Sequence, residues 1–524
     1  QPGPDAFPYG FGESLERVRA VDGAFSDDDT DIEYMYLLQM EQHGIEPTYK
    51  QLATAWKYHV RDRVWVANRN ALTLMHAGYL PPVTGHRDFN PNWFQIDPQL
   101  VNEIWAVTAP GMLDYATAKS EWAARITNDS FGVEPTVHYA AMYSAAFFED
   151  DIERLVDIGT AALHADSRFA KTVEHMKALY RQYPDDWRAA RKEMADHYYG
   201  EFDYNRGAWA AVDANLNGAA GILALLFGQG DFQRTLDLAS ALGFDADNQA
   251  ATMSGLLGIV HGTEGLPRDL LFPIGEDTWK EPFNDRYINV SRHDLPDASI
   301  RDIAQRTARQ GEDIILAKGG KTVRIDGVEH YEINRNARFE APLELVTAPK
   351  LLAETGQPFR FQFYFGERNE TTRLELLGGT PPAGIEYKGD RFEGVPTETG
   401  QFHLKVSVQH DGQTRQGLFS IRVHGHNLAG DAAEVLTNES PTADDIEIIR
   451  DGQRRGASYY NRAPDTEPRV NFYGYRWDEP QVISTLVFNP GLPEEFGGWF
   501  TSLRVQYLSE YGMWLNAPLL SLLP

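Results

Sequence analysis

Ser26-Asp27-Asp28-Asp29-Thr30-Asp31 places four aspartates within five residues, directly before a run with helical spacing marked by Ile32, Met35, Tyr36 and Leu38. A helix N-terminus favours Ser or Asp as its cap and acidic residues in its first turn. Capping accounts for one or two aspartates here. Each further like charge costs energy unless something neutralises it, and a bound divalent cation would do so. Sites built only from carboxylate oxygens suit Mg²⁺, Ca²⁺ or Mn²⁺. The spacing does not fit an EF-hand loop, which needs acidic residues at alternate positions and a late Glu.

The same pattern returns more than two hundred residues later. Gly243-Phe244-Asp245-Ala246-Asp247-Asn248 precedes a second helix, lined with Ala250, Ala251, Gly255 and Gly258. Capping by Asp247 or Asn248 is again one reading. Asp245 and Asp247 also lie two apart at a loop-helix junction, where both can turn toward one point. Two acidic helix starts converging would hold a pair of cations. Two metals sharing carboxylates stabilise charge at two oxygens of a substrate.

Residues from about 30 to 262 read as helices throughout. Ala140, Ala141, Met142, Ala145, Ala146 and Phe147 mark one whose small residues permit close approach. Val212 to Phe227 is nearly all apolar and fits a central buried helix. The segment 265–340 is mixed, with a helix near 298–310. After about 340 the period changes to two: Phe359, Phe361, Phe363 and Phe365, then Phe402, Leu404, Val406 and Val408, then Phe419, Ile421 and Val423. Turn clusters at 379–384 and 394–400 separate these strands, and a β-sandwich of roughly 80 residues is expected. From about 426 a third unit dense in aromatics begins, with Asp451-Gly452, Tyr459-Tyr460-Asn461, Phe472-Tyr473-Gly474-Tyr475 and Gly497-Gly498-Trp499-Phe500. The expected domains are 1–340, 341–425 and 426–524.

Composition narrows the chemistry. The chain has 524 residues and a formal net charge of −28, so non-specific binding to a nucleic-acid backbone is not expected. It contains no cysteine, which excludes disulfides, thiol nucleophiles and Cys-ligated zinc. No run of about 18 apolar residues suggests a membrane span. The opening Gln1-Pro2-Gly3-Pro4 reads either as an arbitrary edge or as a mature terminus left by signal-peptide removal. No oligomeric state is specified by these patterns.

The two acidic clusters together resemble the signature of the ADP-ribosylglycohydrolase (DraG-like) superfamily, with its early Asp-Asp-Thr and late Gly-x-Asp-x-Asp motifs. The resemblance runs over roughly residues 25–265 and includes Trp105–Gly111, Ala140–Tyr143, Phe147–Asp151 and Asn217 through Phe232. It implies an all-α catalytic domain with a dinuclear Mg²⁺ site, Ca²⁺ or Mn²⁺ being alternatives. Asp28 and Asp29 match the early ligand pair, Asp27 stands where the family has Thr or Ser, and Asp245, Asp247 and Asn248 match the late ligands. Asp28 and Asp247 would then also serve the catalytic step. The implied reaction is hydrolysis of an α-ribofuranosyl linkage by an activated water.

Three departures bear on the substrate. The family's opening Gly-rich helix, which ends in an acidic residue, is not visible before Asp27, where only Glu13 or Glu16 could stand in. Thr127-Asn128-Asp129-Ser130-Phe131-Gly132 replaces a motif that often carries His. Two β-units are appended: 346–424 resembles an immunoglobulin-like domain of bacterial surface proteins, and 426–524 resembles a discoidin-type carbohydrate-binding module that stops early.

Candidate substrate contacts lie in the loop 80–94. Trp93 and Phe94 suit stacking on a sugar face, and His86, Asp88 and Asn92 suit hydrogen bonds to hydroxyls; anchoring of the loop is the plainer reading of the aromatics. Asn128 and Asp129 are further candidates. Glu103, set among apolar neighbours, is a candidate general acid or base, since such a site raises a carboxyl's pKa. His138 reads as a satisfied helix histidine. The expected function is a secreted or periplasmic, metal-dependent glycoside hydrolase acting on a glycan. The alternatives are release of ADP-ribose from a modified protein or small molecule, and a non-catalytic glycan-binding protein on the same scaffold.

Overall fold

The computed structural model describes residues 11–61, 63–200, 207–342, 344, 351–363, 371–410, 412–438, 446–452, 471–488 and 503–517. The chain divides into two compact units, residues 1–76 with 80–344, and 345–524 with 77–79. Gln1–Pro4, Phe365, Tyr459–Asn461 and Gly497–Phe500 lie outside the described residues.

The first unit is helical. Its described helices are α1 Phe11–Val21, α2 Asp28–His43, α3 Tyr49–His59, α4 Val66–His76, α5 Ile104–Val107, α6 Leu113–Ala124, α7 Glu134–Ala145, α8 Ile152–Ala161, α9 Arg168–Gln182, α10 Trp187–Tyr198, α11 Ala214–Gly228, α12 Phe232–Leu242, α13 Ala246–His261, α14 Arg268–Leu271 and α15 Ile300–Ala317. Among them α11 is the centre: every residue is buried, as its apolar sequence requires. Close packing depends on its glycines. A Cβ at Gly221 would sit 2.3 Å from Gln249 Oε1 and 2.8 Å from the Tyr139 hydroxyl, so glycine lets α7, α11 and α13 meet. The helix ends where Gln229 turns left-handed at φ 55° and its N–H returns to Leu225 O.

Two features differ from the sequence reading. The stretch before Asp27 contains a helix, α1, because Phe11–Val21 holds no proline. Helix α15 also runs to Ala317, further than expected, and a two-stranded hairpin of Lys321–Ile325 and Val328–Glu332 follows it. Between α14 and α15 the strand Tyr287–Ile288 pairs in parallel with Ala24–Phe25. That pairing brings residues 289–292 against the start of α2.

The second unit is β-rich. One four-stranded sheet has the order Leu351–Glu354, Gln413–His424, Gly400–His410, Arg373–Gly378. A three-stranded sheet has the order Phe359–Gln362, Arg391–Gly394, Ile385–Tyr387. Phe363 and Phe392 meet Phe419 of the larger sheet with ring centroids 5.3 and 5.5 Å apart, so the two sheets share an aromatic core. Further on, Glu434–Thr437 pairs with Tyr473–Arg476 and Gln506–Leu508 with Trp514–Asn516, both antiparallel.

Candidate functional site

The four aspartates at the start of α2 have separate roles. Asp27 is the cap: its Oδ1 accepts Thr30 N–H at 3.4 Å and the Thr30 hydroxyl at 3.2 Å. Asp31 turns inward. Its Oδ1 accepts Arg292 Nε–H at 2.8 Å, with both side chains wholly inaccessible to solvent, and its Oδ2 accepts the Ser291 hydroxyl. Ser26 extends this anchor, bonding Ser291 Oγ at 2.8 Å and accepting Val290 N–H at 2.9 Å. Asp28 and Asp29 occupy the first turn of α2.

The second cluster meets the first. Asp245 is the N-cap residue of α13 but makes no capping bond with its side chain. Its backbone N–H is held by Asn217 Oδ1 of α11 at 2.9 Å, and the charge of Asp247 acts on its carboxyl. Withdrawal from water raises the Asp29 carboxyl to about 10, with Asp27, Asp28, Asp247 and Asp245 adding to the rise. Asp245 rises to about 8, first through withdrawal from water and then through Asp247 and Asp28. Asp27 and Asp28 move the same way for the same first reason, Arg292 partly opposing it at Asp28. Residues 27–29 and 245–247 therefore share one local field, although over two hundred residues separate them.

Asp97 joins this field. Its Oδ1 accepts Asn68 N–H at the start of α4 at 2.7 Å, while its buried Oδ2 has no hydrogen-bond partner. Burial lifts it to about 7, with Asp28 adding to the rise, and it acts in turn on Asp245. A buried, unpartnered carboxylate oxygen beside an all-oxygen set fits a hard divalent cation. Among the described residues, no group of three or more His, Asp or Glu side chains is placed so that it could hold a metal ion. Asn248 faces inward: its Oδ1 accepts Gln249 Nε2 at 2.7 Å and its buried Nδ2 has no partner.

Glu103 lies between α2 and α13. It accepts the Thr252 hydroxyl of α13 at 2.7 Å, and Glu33 of α2 accepts the N–H of the next residue, Ile104, at 2.7 Å. The loop residues are tied mostly to the segment 125–132. Asp129 is paired with Arg87 and Arg125, each at 3.2 Å, caps Ser130 N–H at 2.7 Å, and is held below the usual carboxylate range by these bonds despite its burial. Asn128 is buried, donating to Gln95 O. Trp93 packs edge-on against Phe131 at 5.0 Å beneath Arg87. His86 lies 3.8 Å from the exposed Asp88, and Asn92 is half-buried, its N–H donating to Asn90 Oδ1 at 3.0 Å.

Sequence reasoning missed Glu33, Asp97 and Arg292. Glu33 carried a usable signal, since it stands four residues after Asp29 on one helix face. Asp97 and Arg292 carried none, because only the fold brings them to Asp28 and Asp31.

No curated protein matches the chain. A proposed alpha-galactosidase from Bacteroides fragilis is 19% identical over 16% of this chain and 17% of its own, with a TM-score of 0.14. An endo-fucoidan hydrolase of glycoside hydrolase family 107 is 15% identical over 16% and 14%, with a TM-score of 0.13. The chain spans less than a fifth of either structure. The family model of ADP-ribosylglycohydrolase matches residues 6–297, more than half of the chain and the whole of the acidic site. The chain belongs to the ADP-ribosylglycohydrolase family.

Proposed function

We propose that this chain is a secreted, divalent-cation-dependent glycoside hydrolase that cleaves a glycosidic, furanosidic bond in a glycan. The observation that carries the reading is the convergence of two acidic helix starts on one field, with Asp97 Oδ2 unpartnered beside them. Asp28, Asp29, Asp245, Asp247 and Asp97 would hold the cations, with Asp27 at the edge as cap and Asn248 behind. Bound cations would supply charge compensation and activation of a water. The protein's own contribution is positional. Asn217 fixes Asp245, and the Asp31–Arg292 pair fixes the turn that carries Asp28 and Asp29. The loop with His86, Asp88, Asn92 and Trp93, backed by Asn128 and Asp129, would orient the sugar. The β-rich unit would hold the enzyme near polysaccharide outside the cell.

The test is hydrolysis of aryl furanosides and a glycan panel, with and without EDTA. Activity abolished by EDTA and restored by Mg²⁺ is expected. Equal rates in EDTA, or no turnover on any substrate, would refute the reading. Membership of the family favours a second reading, release of ADP-ribose from modified Arg or Ser. Against it stands Asp129, which already engages Arg87 and Arg125, two cations that a diphosphate would otherwise recruit.

A further inference from the structure

Trp65 stands immediately before α4, and two contacts of the surrounding chain tie it to the acidic field. On one side, Asp97 Oδ1 accepts the N–H of Asn68 at 2.7 Å, in the first turn of α4. A carboxyl of the field therefore sits at the helix end that Trp65 precedes. On the other side, Arg63 O accepts Arg292 Nη1–H at 3.1 Å, and the same guanidinium pairs with Asp31 of α2. Val64 and Ala67 are buried between these supports, yet Trp65 keeps 40% of its surface exposed. Among the described residues of the helical unit it is the one exposed tryptophan. Its orientation is fixed. The Arg69 guanidinium lies over the ring, 5.7 Å from its centroid, and Arg69 Nε–H donates to Val64 O at 3.1 Å. The backbone on both sides is strained: Arg63 has φ 46° and the β-branched Val66 has φ 33°. Such strain persists only where the surroundings over-determine it, and it clusters at ligand sites.

We infer that Trp65 is a stacking platform for a sugar ring of the substrate, set at the rim of the acidic site on the side of Asp97. The inference rests on the glycosidase reading and deepens it by naming a contact that selects the sugar. A sugar ring presents C–H groups on its face and hydroxyls at its edge. An indole offers a flat, rigid apolar plate of matching size with only two side-chain torsions to fix. A sugar laid on it removes exposed apolar area from water, which a polar substrate side chain could not do as well. Arg69 backs the ring, so a ligand meets the exposed remainder. Because the plate is tied to Asp97 through Asn68 and to Asp31 through Arg63 and Arg292, a ring resting on it is held in register with the aspartates. Trp93, by contrast, already packs on Phe131 beneath Arg87. Phe148 is more exposed than Trp65 but lies over Gly111, past the end of α7, which makes it the control for exposure alone.

The experiment uses the full chain and its Trp65→Ala, Trp65→Phe and Phe148→Ala variants. Hydrolysis of nitrophenyl furanosides of arabinose, galactose and ribose, and of the glycan panel, is measured with Mg²⁺ present. Mn²⁺ affinity is measured by calorimetry. On whichever substrates wild type cleaves, Trp65→Ala should raise KM about fivefold to tenfold. Its kcat should stay within about threefold, because a contact made equally before and in the transition state acts on KM alone. Trp65→Phe keeps a smaller plate and should return KM to within about threefold of wild type. Phe148→Ala should leave both constants within about twofold. Mn²⁺ affinity should stay within about twofold in every variant, which separates a lost sugar contact from damage to the aspartates. A KM for Trp65→Ala within about twofold of wild type would overturn the inference, and so would no recovery in Trp65→Phe. So would a fall of about tenfold in the Mn²⁺ affinity of Trp65→Ala, which would make Trp65 a support of the aspartates instead. If wild type cleaves nothing, the glycosidase reading falls, and binding to the same glycans printed as an array judges the platform by itself. A weaker signal for Trp65→Ala than for wild type on any glycan would keep it; equal or absent signals on all would reject it.

Discussion

Replacing Arg292 with methionine removes the guanidinium that faces Asp31 in the interior. Neither side chain has any solvent access, so water cannot substitute for the lost partner. Such a pair adds little net stability while intact, because desolvation offsets its attraction. Breaking it is different: an uncompensated buried carboxylate costs about 3–5 kcal/mol. Arg63 O also loses the donor it now has at 3.1 Å. Asp31 can relieve part of the cost by taking a proton, since burial has already raised it to about 6 against the opposing effect of Arg292. Without Arg292 the Asp31 carboxyl rises further, so the cost grows with pH and is full only well above pH 6. At about 2–4 °C per kcal/mol, the helical unit should melt roughly 6–20 °C lower. Scanning calorimetry of the full chain at pH 7.5 is the assay. The double variant Asp31→Asn with Arg292→Met should be less destabilised than the two single changes summed, because it leaves no lone charge. A melting temperature for Arg292→Met within about 1 °C of wild type would refute the reasoning.

Two further outcomes follow from buried titratable groups. Asp97→Asn keeps an oxygen for Asn68 N–H but removes the charge directed at the aspartates, so Mn²⁺ affinity should fall about tenfold or more, or about 1.4 kcal/mol; unchanged affinity by calorimetry would remove Asp97 from the site. His138, packed on Gly159 and Phe169, is pushed down to about 3 by burial and stays neutral. A depressed His gives stability that is present above 6.5 and lost as pH falls from there toward its folded value. His138→Gln should therefore flatten the acid limb of a melting-temperature profile, and an unaltered limb would reject a buried neutral ring.

The two acidic helix starts were legible because capping chemistry is local and its excess is countable within a few residues. The helical half was legible because Ala214–Gly228 has no polar face and so must be central. The strands Phe359–Gln362, Gly400–His410 and Gln413–His424 were legible through period-two patterning. Helix α1 was obscured by the Pro/Gly-rich residues before it, which masked an eleven-residue stretch free of proline. Glu103 was singled out for its apolar neighbours, but Glu33 was passed over although it follows Asp29 by four residues on one helix face. Asp97 and Arg292 were illegible for a stronger reason. Asp97 reaches Asp28 across 69 positions and Arg292 reaches Asp31 across 261, and no local pattern encodes such a meeting.

The fate of Asp27, Asp28, Asp29 and Asp31 shows how a fold distributes a concentrated charge. One is absorbed by the helix end as its cap and one by a guanidinium brought in by the Tyr287–Ile288 strand. The remaining two have neither outlet and face Asp245 and Asp247, which α11 holds in place through Asn217. Left alone, that group reduces its charge by taking up protons, which is what a value of about 10 at Asp29 means. Proton and divalent cation are thus competing solutions to one electrostatic problem, and metal uptake should release protons. Local capping alone would have needed no second cluster. The second cluster acquires a reason only if the compensating charge is one that several carboxylates can share, and for oxygen ligands without cysteine that is a hard divalent cation.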